Sequence, residues 1–143
     1  STSVSNATSP ETATATAIGW GYRNTLAIIL QGNTDTATSA AALADSHTVT
    51  VSGIAYDDWY LPSKDELNQM CKWQGGVAWT SDATVCTGGT VNTGTGAAGF
   101  DTGFYWSSTE TATFSAWLQA FNHGAQYNYS KYNARYVRPI RAF

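Results

Sequence analysis

The sequence predicts a mixed α+β domain with two helices early, an antiparallel sheet late and long irregular insertions. Three observations carry that reading. A capping-box signature opens a helix near the middle of the chain, and strand-length runs crowd the last third. Between them lies a Gly/Thr-rich stretch too long for an ordinary connection. At 143 residues the chain fits one domain with enough mass to bury a sizeable core.

In order along the chain, residues 1–13 are rich in Ser, Thr and Ala and are expected to form a flexible leader, leaving 14–143 as the single domain. The alternation in TATAIGW (14–20) suggests a short strand. From Asn24 to Gln31, Leu26, Ile29 and Leu30 fall on one helical face, with Asn24 as N-cap and Gly32 as stop. The Ala-rich segment 36–44 is a second helix candidate, and TVTVSGI (48–54) alternates as a strand. In DDWYLPSKDELNQMCKW (57–73), Ser63 and Glu66 form a capping box ahead of Leu67, Met70 and Cys71, while Pro62 keeps the residue before it extended. The Gly/Thr-rich excursion covers 74–104. Strand-like runs then return as YWSS, SAWLQAF, GAQYNY and RYVRPIRAF. Trp20, Trp59 and Trp73 are expected in the core.

Composition narrows the function. Hydrophobic residues are 43% and aromatics 13%, while charged residues reach only 12%, about half the usual share. A surface built from Ser, Thr, Asn and Gly suits a virion or cell-surface module. The net charge of -3 argues against a nucleic-acid partner. Lys131, Arg135, Arg138 and Arg141 gather near the end, but the last two are expected to anchor the chain, through an ion pair with Glu110 or Asp58. No apolar run is long enough for a membrane span. The chain opens at Ser1 without Met or a signal-type apolar stretch, so it reads as processed or trimmed.

Cys71 and Cys86 either form a disulfide closing a short loop or are both free and buried. The bridge is favoured because the segment between them has no evident core, and it would contribute roughly 3 kcal/mol. Neither has co-ligands for zinc, and Asp57 with Asp58 is too small an oxygen set for calcium. No metal and no cofactor are therefore expected. No nucleophile–base arrangement is legible, His123 stands alone, and the chain is read as not an enzyme.

IGWGYRNT (18–25), DDWYLPSKDEL (57–67), YWSSTE (105–110) and the terminal YVRPIRAF (136–143), in that order, resemble a widespread bacterial and viral domain family. That family is similar to the C-type lectin fold and related in fold to formylglycine-generating enzymes. The resemblance implies a C-type-lectin-like domain over 14–143 and transfers no catalytic residue. The last third, about 105–143, also resembles the variable region of diversity-generating retroelement proteins. There, as the resemblance implies, a reverse transcriptase copies a template with errors at adenines. Codons randomised in that way exclude Trp, Gln, Glu, Lys and Met.

That exclusion divides the region. A fixed frame comprises Trp106, Glu110, Ala116, Trp117, Gln119, Phe121, Gly124, Gln126, Lys131 and the closing YVRPIRAF. The mutable, ligand-binding positions are then Thr111, Ala112, Thr113, Phe114, Ser115, Leu118, Ala120, Asn122, His123, Ala125, Tyr127, Asn128, Tyr129, Ser130, Tyr132, Asn133, Ala134 and Arg135. None holds an excluded type. Strand alternation in AWLQAF puts Trp117, Gln119 and Phe121 on one face and Leu118, Ala120 and Asn122 on the other, which is expected to be free to change. Interleaved Tyr and Asn are what recognition surfaces select. The expected function is display of a diversifiable surface for a macromolecular or surface ligand, in attachment to a host or cell-surface receptor. The alternatives are a fixed adhesin or carbohydrate-binding module of the same family, and a sulfatase-modifying-type enzyme.

Overall fold

A computed structural model describes residues 12–75, 86 and 99–142. Most of the leader and most of the 74–104 excursion lie outside the described residues.

Among the described residues three helices, rather than two, precede the late sheet. The first, α1 (Gly21–Leu30), begins earlier than the sequence suggests, after Trp20 and without a side-chain cap. Asn24 is therefore not its N-cap. It lies in the helix, fully buried, and its amide donates to Ala15 O at 2.7 Å. The buried face is Gly21, Asn24, Thr25 and Ala27, and Leu30 is 69% exposed. Polar side chains claim that face because they tie distant segments together. Thr25 Oγ1 donates to Gly21 O and accepts from Leu61 N–H at 3.0 Å. Gly21 has to be glycine, since a Cβ there would collide with the Glu66 carboxylate and crowd the Leu61 carbonyl.

Helix α2 (Ala40–Asp45) is capped by Ser39, whose hydroxyl accepts from Ala42 N–H. TVTVSGI is not one strand but most of a hairpin, β1 (Val49–Val51) and β2 (Ile54–Tyr56). Ser52 and Gly53 both take positive φ, 51° and 81°, the backbone that a two-residue hairpin turn demands. Helix α3 (Lys64–Gly75) opens on the reciprocal box: Ser63 N–H donates to Glu66 Oε2 at 2.7 Å, and Glu66 N–H to Ser63 Oγ at 3.3 Å. The same glutamate reaches Gly19 N–H at 2.8 Å, so one side chain fixes both the start of α3 and the approach to α1.

The late sheet is antiparallel with order β3-β4-β5: β3 (Phe104–Ala112), β4 (Ser115–Ala120) and β5 (Gln126–Ser130). One face packs on α3 through Leu67, Cys71, Phe100, Tyr105 and Phe121, with Cys86 in the same cluster. Cys71 and Cys86 are joined by a disulfide, Cα atoms 6.1 Å apart, and Asn68 Oδ1 accepts from Cys86 N–H. The opposite face holds Trp106, Ala116 and Leu118 against Ala40 of α2, with Phe104 alongside.

Neither end of the domain adds a named strand. The 13–16 stretch instead lends carbonyls: Ala13 to Glu110 N–H, Ala15 to Thr109 Oγ1, and Thr16 to Asp65 N–H. The closing run makes isolated bridges, Tyr60 with Ile140 and Tyr105 with Tyr136. Pro139 within it has no N–H for a ladder. Arg141 pairs with Asp58, its Nη2 donating to Oδ2 at 2.9 Å, and this hydrogen bond holds the Asp58 carboxyl below its usual range. Glu110 pairs with Lys131 instead of Arg138 or Arg141. The early tryptophans are not core: Trp20 is 43% and Trp73 68% exposed, and Trp59 is half-buried. The result is an α+β, C-type-lectin-like fold.

Candidate recognition surface

The register of the sheet decides which of the positions expected to be mutable share a face. Leu118 lies opposite Trp106 on one side and Tyr127 on the other, while Ala116 lies opposite Tyr129. Directly opposed residues point to the same face, so Trp106, Leu118, Ala116, Tyr127 and Tyr129 form one surface. Trp117, Gln119 and Asn128 are on the α3 side.

The alternation in AWLQAF therefore holds, but its expected consequence does not. Leu118 is 3% exposed and Ala120 is fully buried. The cause is position: β4 is the central strand, and its second face is covered by α2, Trp106 and Phe104. These two residues are packing positions, unlike the rest of their set. Phe114, Tyr127, Tyr129, Tyr132, Ala112, Asn122, His123, Asn128 and Ala134 are exposed. Thr111, Thr113, Ser115, Ala125, Ser130, Asn133 and Arg135 are half-buried.

Two aromatic groups stand out on this surface. Along the β5 edge, Phe104, His123 and Tyr127 meet edge to face with centroids 6.0–6.4 Å apart. The Arg135 guanidinium lies 5.2 Å from the Tyr129 ring centre and 5.6 Å from that of Phe104. At the other end Phe114 stacks on Tyr132 at 6.0 Å. Phe104 was missed by the sequence reading because it precedes the YWSS motif. Its one signal is an aromatic two residues before Trp106, which alternation places on the same face. Asn128 is exposed but on the far face, where Thr111 Oγ1 donates to it at 2.7 Å.

The frame residues have structural partners. The Lys131 ammonium pairs with Glu110 and donates to Thr113 O, tying the segment after β5 to the β3–β4 hairpin. Gln119 is fully buried and donates to Gly124 O at 2.6 Å, while Gln126 reaches Lys64 O at 3.2 Å. Gly124 takes a φ of 79°, and a Cβ on it would collide with the Cys86 carbonyl. Trp117 is half-buried, with the Lys64 ammonium 4.5 Å over its ring.

Beside this surface, α2, β3 and the 131–137 segment line an open pocket of about 400 Å³. Among the described residues no group of His, Cys, Asp and Glu is placed to hold a metal ion, and no helix is long and apolar enough to cross a membrane. No curated protein and no solved structure matches the chain. The profile described as the Lcl C-terminal domain matches residues 10–141. This chain belongs to the Lcl C-terminal domain family, a C-type-lectin-like ligand-binding family.

Proposed function

We propose that this domain displays a diversifiable recognition surface for a macromolecular ligand on a host or cell surface, and that it sits on a virion or cell exterior. The observation that carries the reading is a division of labour. Glu110, Gln119, Gln126 and Lys131, types that adenine-directed randomisation cannot produce, are committed to internal bonds. Phe114, Tyr127, Tyr129 and Tyr132, types that it can produce, are 43–72% exposed. Tyr and Phe on an open face give large contact area with few rotatable bonds, the economy that binding loops use. The contacts are centred on the β5 edge and the Phe114–Tyr132 stack, with Leu118 and Ala120 supporting them from beneath.

Sequencing many natural copies of the gene tests this reading. Substitutions should gather at the exposed and half-buried mutable positions, next to a reverse transcriptase gene and a partial repeat with adenines in the matching codons. Substitutions spread evenly over 14–143 would leave a fixed binding module.

A further inference from the structure

We infer that the outer edge of β5 takes its ligand as an added strand, an extended polypeptide segment held by main-chain hydrogen bonds along Gln126–Ser130. The inference rests on the reading of this edge as part of the recognition surface, and it names the class of ligand bound there.

Hydrogen-bond parity fixes which groups face outward. Ala120 N–H donates to Ala125 O, and Lys131 N–H to Phe114 O. Those bonds flank the β4–β5 ladder, whose register is unbroken between them. Residues 125, 127, 129 and 131 therefore bond inward to β4, while Gln126, Asn128 and Ser130 turn their N–H and C=O outward. Asn133 meets the Ser130 carbonyl. The main-chain N–H and C=O of Gln126 and Asn128 have no partner among the described residues.

The opposite edge of the sheet is closed. Along β3, Trp106 N–H donates to Tyr136 O, Ser108 N–H to Pro62 O and Glu110 N–H to Ala13 O. Every second residue there is satisfied by another part of the chain. The β5 edge also lacks the usual devices against strand pairing: QYNYS carries no charge and no proline, and its register has no bulge.

Outward groups on alternate residues repeat every ~6.8 Å, twice the rise of a strand. An extended peptide presents its own donors and acceptors at that spacing. Its alternate side chains would lie beside Tyr127 and Tyr129, both exposed on the open face, with the Arg135 guanidinium against the Tyr129 ring. Main-chain bonds then supply affinity whatever side chains stand at 127–130, and those side chains select the sequence bound.

Linear peptides selected from a displayed random library on the immobilised whole chain test this. Titrated as free peptides, the best binders should shift the amides of 126–130 in NMR spectra. N-methylation along the peptide should weaken binding about tenfold or more at every second residue. Asn128→Pro should weaken it as much with the spectrum still folded, because an edge strand tolerates proline where the N–H faces outward. Failure to recover any peptide that binds at 126–130 would overturn the inference. An N-methyl scan without the two-residue period would do the same, and it decides alone if Asn128→Pro does not fold. Undiminished binding by a folded Asn128→Pro chain would also overturn it. A dimer of the chain in sedimentation that Asn128→Pro dissolves would make a second copy the occupant instead. None of these outcomes touches the pattern of natural variation, which tests the diversification reading separately.

Discussion

Leu118 and Tyr127 face each other across β4 and β5, yet one is buried and the other 43% exposed. Truncation should separate them. Leu118→Ala is expected to cost about 2–5 kcal/mol and Phe121→Ala about 3–5 kcal/mol, because each leaves a cavity in a packed cluster. Tyr127→Ala and Tyr129→Ala should stay within about 0.5 kcal/mol. Trp117, half-buried beneath Lys64, should fall between, near 1–2 kcal/mol. Urea melts of the five variants check the order. Tyrosine variants as costly as Leu118→Ala would mean that the supposed contact surface is core. At Asp58 the lowered carboxyl value means that its tie to Arg141 is present above the usual carboxylate range. The tie is lost as pH falls through that lowered value.

Among the elements, α3 is anchored at its start by the capping box and along its length by the disulfide. Its capping box should make Ser63→Ala cost about 1–2 kcal/mol, since the same hydroxyl also donates to Ala17 O. The Cys71–Cys86 bridge holds the far side of that helix to the residue packed beside Phe100 and Phe121. Replacing both cysteines by Ser should cost roughly 2–5 kcal/mol in a thermal or denaturant melt. A thiol count on the unfolded, unreduced chain should find none free. Element α3 was legible in the sequence because its signals are local: Ser63, Glu66 and the apolar residues after them lie within two turns. The face of α1 was not. Its burial follows from Asn24 and Thr25 bonding to Ala15 and Leu61, and partners 9 and 36 residues away leave no periodic trace. TVTVSGI reads as one strand because the alternation continues through Ser52–Gly53, where only the positive φ values mark the turn. The two faces of β4 followed from period-two alternation. That both are covered did not, because coverage depends on where α2 lands.

In the molecule as a whole, the late sheet has one face sealed by α3 and the other sealed only as far as β4. Beyond that strand the same face opens onto aromatic side chains that carry little of the packing. A scaffold of this kind should tolerate change at its open edge and not in its frame. Surface display of two libraries measures that directly. One randomises Phe114, Asn122, His123, Tyr127, Tyr129, Tyr132 and Ala134 together. The other randomises an equal number of frame positions, among them Trp106, Glu110, Gln119, Phe121, Gly124 and Lys131. The account predicts that most members of the first library remain folded, by display level and protease resistance, while most members of the second are lost. Equal losses in the two libraries would contradict it.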